Sequence, residues 1–271
     1  MTFTNYIYYI KDVIRNFYLI NKFMIIWKNK SWNDIVLDEF ERKNHLHILG
    51  KTWCWKSKLL YNMIMQDINN NNWVIIIDIH WELAEKVINN VPDYRKKDIV
   101  YFFPSNRDTI KNIFDIENVF IEWKILVCNI SLGVFWDNVW RSFINILLEN
   151  IKSTLSSIWN NLSKKTYIYI DEFQKFQNNT MLTLLFDAGN YYENIWIIFA
   201  YQYLDQLGDE IYHYKSSQIS IRDYILKIIS NKVIFNIWKY DCDTMWLENL
   251  NLLENDNFIF ISWNKSESGN L

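Results

Sequence analysis

Short apolar runs and longer amphipathic runs alternate along nearly the whole chain. The continuous apolar stretches His45–Leu49, Val74–Ile79, Ile99–Phe103, Ile125–Ile130, Tyr167–Ile170, Ile195–Ala200, Val233–Ile237 and Phe258–Ile261 predict buried strands, Phe258–Ile261 being the last. Helical spacing of apolar residues predicts helices over Ser57–Ile68, Glu82 to about Asn89, about Asp137–Ile158, Thr180–Tyr192, Ile219–Ile229 and about Asp241–Leu253. A strand without polar alternation needs cover on both faces. The pattern therefore predicts an α/β fold, a mostly parallel sheet with helices on both sides.

The first segment reads differently. Over residues 1–26, Ile7, Ile10, Ile14, Phe17 and Tyr18 recur at helical spacing, which predicts an N-terminal amphipathic helix. Packing on the domain or on a neighbouring subunit is its expected role, with membrane-surface binding as the alternative. Lys11, Asp12, Arg15, Asn16 and Lys22 interrupt the run, so nothing approaches the roughly 20 apolar residues of a spanning helix. No integral membrane segment is expected, and the start lacks a secretory signal's features. Residues 27–271 are expected to form one domain, with the segment near 105–123 as its shortened centre.

Composition changes the picture in one respect. The chain holds 5 Gly and 14 Trp in 271 residues, and together they approach the roughly 7% that glycine alone contributes to ordinary proteins. Several tryptophans stand where turn chemistry calls for glycine: Trp73 after four consecutive Asn, Trp81 closing Asp78-Ile79-His80-Trp81, Trp123 in Ile121-Glu122-Trp123-Lys124, and Trp263 between Ser262 and Asn264. We expect these positions to be UGA codons that the source reads as glycine. A tryptophan-rich core or stacking surface is the competing explanation. Net charge is −3, so no global positive field advertises nucleic acid, although a motor can confine its positive charge to a pore. Cys54, Cys128 and Cys242 form no C-x-x-C pair and read as reduced cytosolic thiols. His45, His47, His80 and His213 do not join them at metal-ligand spacing, so no zinc site is expected.

The candidate chemistry begins in Gly50-Lys51-Thr52-Trp53-Cys54-Trp55-Lys56-Ser57. With glycine at 53 and 55 this run is a full phosphate-binding loop, G-x-x-x-x-G-K-[ST], lying between a predicted strand and a predicted helix. Such a loop turns successive backbone N–H groups toward phosphate oxygens, and an indole at either position is expected to fill the cradle. Lys56 is the candidate for neutralising the β and γ phosphates of ATP, and Ser57 for ligating Mg²⁺. Tyr167–Ile170 ends in Asp171-Glu172, which predicts Asp171 beside the metal and Glu172 polarising the attacking water. Ligands of open α/β sheets sit beyond the carboxyl ends of strands. Asp78, His80 and Gln202 fall there as well. Gln202 is a candidate sensor of the γ-phosphate, and loop capping is the alternative role for all three.

These pieces share an order with a known family. The loop, Asp78-Ile79-His80-Trp81-Glu82, Ile170-Asp171-Glu172-Phe173-Gln174 and Tyr201-Gln202-Tyr203-Leu204-Asp205-Gln206-Leu207 resemble the coupling ATPases of type IV secretion, the TraG-like branch of the HerA/FtsK class. Lys124–Ile130 and Val233–Lys239 share the family's look, so the resemblance spans roughly residues 25–265. It implies a RecA-like P-loop NTPase fold, Mg²⁺-dependent ATP hydrolysis and a homo-oligomeric ring of six subunits with DNA moved through it. It further implies secretion or relaxosome proteins as partners, and a cytoplasmic location with membrane association only through those partners.

Two departures stand out. Relatives carry a long helical insertion where only about Ser105–Trp123 lies, and many have arginine at the position of Asn236. Arg222 and Arg141 remain as arginines without an assigned role. A small P-loop phosphotransferase is a rival that would need an arginine-rich lid, and no such lid is visible. A degenerate nucleotide-binding ring or scaffold subunit is the non-enzymatic rival.

Overall fold

The computed structural model describes residues 23–29, 34–52, 54–102, 124–130, 137–158, 165–192, 194–214, 217–245, 257–262 and 265–270. Its strands are β1 (Phe23–Asn29), β2 (Asp34–Asp38), β3 (Leu46–Leu49), β4 (Trp73–Asp78), β5 (Ile99–Phe102), β6 (Ile125–Asn129), β7 (Thr166–Ile170), β8 (Ile195–Tyr201), β9 (Ile211–Tyr214), β10 (Ser217–Ser220), β11 (Lys232–Ile234), β12 (Asn257–Ser262) and β13 (Lys265–Asn270). The helices are α1 (Glu39–Arg42), α2 (Lys56–Asn69), α3 (Glu82–Asn90), α4 (Asp93–Lys96), α5 (Asp137–Ile158), α6 (Asn179–Asn190), α7 (Ile221–Lys227) and α8 (Lys239–Met245).

Eleven strands make one sheet in the order β2-β1-β13-β12-β11-β3-β8-β7-β4-β6-β5. From β11 to β5 every pairing is parallel, and from β11 to β2 every pairing is antiparallel. This is the mostly parallel sheet that the apolar pattern predicted, in the RecA-like P-loop NTPase architecture that the resemblance implied. The uninterrupted apolar strands are explained by their two faces. In β4, Val74 and Ile76 join the core under α2 and α3, while Ile75 and Ile77 join the core under α5 and α6. Burying each such side chain contributes about 1.5–3 kcal/mol. Residues Leu59, Leu60, Met63, Ile64 and Ile68 of α2 repeat at helical spacing and are all buried against the sheet. Asn178 caps α6 by accepting from Met181 N at 2.8 Å, and Ser220 caps α7 by accepting from Asp223 N at 3.0 Å.

Several boundaries depart from expectation. Residues 23–26, assigned to the N-terminal helical segment, belong to β1, which pairs antiparallel with β2. Met24 and Ile26 are buried while Ile25 is exposed, so a period of two holds there. The periodic positions Ile7 to Tyr18 lie outside the described residues, as does the shortened centre at 105–123. The stretch 219–229 begins as strand β10, and its helix starts only at Ile221. Phe258–Ile261 is not the last strand, because β13 follows and pairs with β12 and β1. Nothing in Lys-Ser-Glu-Ser-Gly-Asn signals a strand, yet its backbone pairs along β12 and β1. Trp73 is the first residue of β4 and is buried rather than sitting in the turn. The positive φ of that turn belongs to Asn71. Residues 246–253 of the expected last helix lie outside the described residues.

Candidate nucleotide-binding site

Parallel register brings the carboxyl ends of β3, β8, β7 and β4 to one edge of the sheet. Leu49 stands opposite Tyr201, and Ile170 opposite both Phe199 and Ile77. Gly50, Gln202, Asp171 and Asp78 therefore leave their strands side by side. Because β8 lies between β3 and β7, Gln202 emerges between the phosphate loop and the Asp171-Glu172 pair.

The loop is gripped from both sides. Gly50 N donates to Tyr201 O at 3.3 Å, Phe235 N to Leu49 O at 2.8 Å, and Lys51 N to Asn236 O at 2.9 Å. A Cβ at position 50 would stand 2.7 Å from Phe235 Cβ, so this close approach requires glycine. Lys56 opens α2 and is buried, its Nζ donating to Gly50 O at 2.7 Å and Lys51 O at 2.8 Å. The ammonium thus rests on two backbone carbonyls of the loop. Burial lowers the Lys56 pKa, against the opposing pull of Asp171, Cys54 and Glu172. Burial raises that of the Cys54 thiol, whose Sγ lies 3.8 Å from Asn236 O.

Trp55 corrects one expectation. It is the N-cap of α2 at φ −72°, its indole is 41% exposed, and Lys58 Nζ sits 3.5 Å from the ring centroid. The helix start leaves this side chain partly in solvent beside Lys58, and its backbone makes no demand for glycine. Trp53 lies outside the described residues, as do Trp123 and Trp263. Trp81 makes that demand instead. It precedes α3 at φ 72° and ψ −26°, a left-handed conformation that glycine adopts freely and tryptophan does not.

Ser57 Oγ donates to Asp171 Oδ2 at 2.9 Å. Burial and the neighbouring Asp78 carboxylate push the Asp171 pKa up to about 6, against the bond from Ser57. Asp78 itself accepts from His80 N at 2.8 Å and from Ala84 N at 2.9 Å, so it caps α3, the alternative role considered for it. His80 is exposed. The Ser57 and Asp171 oxygens suit Mg²⁺: two neighbouring ligands at 2.0–2.1 Å in an octahedron lie about 2.9 Å apart, and this ion needs few protein oxygens when phosphate and water supply the rest. Among the described residues no group of three or more His, Cys, Asp or Glu is placed to hold a metal by itself.

Glu172 occupies the left-handed region at φ 55° and ψ 51°. Its Oε1 accepts from Gln202 Nε2 at 2.9 Å, and its Oε2 accepts from Gln174 Nε2. Gln202 Oε1 accepts from Thr52 Oγ1 at 2.9 Å. A continuous hydrogen-bond chain thus runs from the phosphate loop through Gln202 to Glu172. Motif reasoning gave no role to two glutamines beside this chain. Gln206 Oε1 accepts from Gln202 N at 2.8 Å, and Gln177 Oε1 accepts from Gly208 N at 2.7 Å. Gln206 belongs to the Tyr201–Leu207 stretch, and its place three residues after Tyr203 makes a capping box. Of the two unassigned arginines, Arg222 lies 3.4 Å from Asp205 and 3.6 Å from Asp209, and the Arg141 side chain is outside the described residues. No described helix is long and apolar enough to cross a membrane.

No protein-family model matches the sequence, and no curated protein matches it. Solved structures do match. A bacterial conjugative coupling protein, TrwBdeltaN70 in its unbound monoclinic form, superimposes with a TM-score of 0.66 at 10% identity, over 93% of this chain and 88% of that one. VirB4 of Thermoanaerobacter pseudethanolicus gives 0.61 at 10% identity, over 92% and 96% of the two chains. TrwB in complex with ADP and Mg²⁺ gives 0.60 at 8% identity, over 88% and 87%. The resemblance to coupling ATPases drawn from the motifs therefore holds at the level of the fold.

Proposed function

We propose that the chain is a Mg²⁺-dependent ATPase that works as a DNA-translocating motor, in the manner of conjugative coupling proteins. The observation that carries this is the convergence on one sheet edge of Lys56 inside its loop, the Ser57–Asp171 contact, and Glu172 joined to the loop through Gln202. The loop from Gly50 to Ser57 would hold the phosphates, with Lys56 moving off its carbonyls onto them. Ser57 and Asp171 would hold Mg²⁺, which when bound neutralises charge on the phosphate oxygens. Glu172 would take the proton of the attacking water, and Gln202 would report whether a γ-phosphate is present. The complex of TrwB with ADP and Mg²⁺ supports nucleotide and metal in this site, on a shared fold.

DNA and a six-membered ring come from the family resemblance rather than from any residue on the surface, given a net charge of −3. A degenerate ring subunit remains the second reading. Arg222 is engaged by acids of its own chain, and Asn236 stands where many relatives carry arginine. The test uses chain with glycine at 53 and 55, sized by sedimentation, with ATP turnover measured at low salt with and without DNA. A ring whose turnover rises with DNA, and loses that rise as salt increases, is the expected result. A monomer with turnover unchanged by DNA rejects the motor and favours the degenerate subunit.

A further inference from the structure

Gln174 has no place in the scheme above. It lies in the 3-10 turn Phe173–Phe176, and Phe173 and Phe176 are buried at 0% and 1% exposure, so the turn is pinned into the core on both sides of it. Gln174 is half-buried, and its Nε2 donates to Glu172 Oε2. Gln202 Nε2 holds the other oxygen, Oε1, at 2.9 Å. Two amide donors from different elements therefore grip the two oxygens of one carboxylate.

The orientation of the Gln174 amide is dictated by this contact. Turning it over would press its oxygen against an anionic carboxylate, whereas the present orientation leaves Oε1 buried with no hydrogen-bond partner. An unpartnered buried acceptor is destabilising, so the arrangement sacrifices stability to keep the donor on Glu172. Glu172 also adopts the left-handed region, which non-glycine residues avoid and which recurs at functional sites. A carboxylate has about four acceptor sites, so two remain for a water after both amides have bound. A general base is effective only when held to within a fraction of an ångström of its working geometry.

We propose that Gln174 is a positioning residue for hydrolysis: with Gln202 it fixes the Glu172 carboxylate so that its remaining acceptor sites meet the water beside the phosphate loop. This rests on the hydrolase reading given above. Gln174→Met keeps the length and bulk of the side chain, removes the donor and removes the orphaned acceptor. In full-length chain with glycine at 53 and 55, it should lower kcat by about tenfold to a hundredfold, the scale set by misplacing a catalytic group. Binding of a non-hydrolysable ATP analogue should be unchanged, and the thermal midpoint unchanged or higher. In a Glu172→Gln background the same substitution should have no further effect on residual turnover. An active parent matched in kcat by Gln174→Met overturns this inference alone. So does a parallel fall in kcat, analogue affinity and thermal midpoint, which would make Gln174 merely structural. A parent that binds the analogue but does not turn ATP over overturns the hydrolase reading and the positioning role with it.

Discussion

Acid should weaken this fold through one histidine. His45 stands just before β3 at φ 58°, 2% exposed, with its ring between α6 and β8. Its Nε2 lies 2.9 Å from Leu185 O, and Ile197 N donates to Nδ1 at 3.1 Å. Both contacts fit only the neutral ring carrying its proton on Nε2. A second proton on Nδ1 would face the Ile197 N–H head-on. Burial lowers the pKa of His45 to about 4, and the Leu185 carbonyl offsets this only in part. In the unfolded chain the value is about 6.5. The unfolded state therefore binds more protons between pH 6.5 and 4, so this contribution is fully present above pH 6.5 and is lost as pH falls through that window. Linkage puts the loss at roughly 2–3 kcal/mol by pH 4.5, a large fraction of the roughly 5–15 kcal/mol that holds a domain together. Urea unfolding at pH 7.5 and pH 4.5 on the chain and on His45→Asn reads it directly. Asparagine tolerates the left-handed backbone and does not titrate. The carboxylates and His47 are common to both proteins, so their contributions cancel in the difference. Equal losses of stability in the two proteins would refute the reasoning.

At position 81, Trp81→Gly should be more stable than Trp81→Ala by about 1 kcal/mol, because both lose the indole and only alanine meets the left-handed backbone with a Cβ; equal midpoints in thermal unfolding would contradict this. Peptides of protein from its native source should carry glycine at 53, 55, 73 and 81, and mass spectrometry finding tryptophan at 53 and 55 ends the recoding hypothesis. Chain with glycine at 53 and 55 should bind Mg²⁺-ATP more tightly than chain with tryptophan there, as titration calorimetry can decide. In that glycine form Lys56→Ala should abolish binding, since the buried ammonium is held against the Gly50 and Lys51 carbonyls of the loop. Glu172→Gln should keep binding and lose turnover by about a hundredfold or more, and preserved turnover would remove Glu172 from the role of base.

The sequence by itself determined the parallel core and named the polar residues that the structure gathers at one edge of it. Apolar runs such as Val74–Ile77 could be satisfied only between two helical layers, so the class of fold followed from hydrophobicity alone. Lys56, Ser57, Asp171 and Glu172 were legible as candidates because a loop of the phosphate-binding pattern and an acidic strand end are local patterns. Tertiary structure decided what local pattern does not encode. It inserted β8 between the loop and the acidic pair, and so turned Gln202 into a bridge from Thr52 to Glu172. It recruited the polar strand β13 through backbone pairing, which any side-chain sequence permits. It also set the buried contact of Arg42 with Asp67, 25 residues away, at 2.7 and 2.9 Å, because ion pairs form where folded backbones meet. At the tryptophans the two levels divided the answer. Composition raised glycine at many positions, but only the backbone, positive in φ at Trp81 and ordinary at Trp55, showed where the chain's own geometry requires it. The physical reason is that φ at a loop residue is imposed by the elements it joins, here the end of β4 and the start of α3.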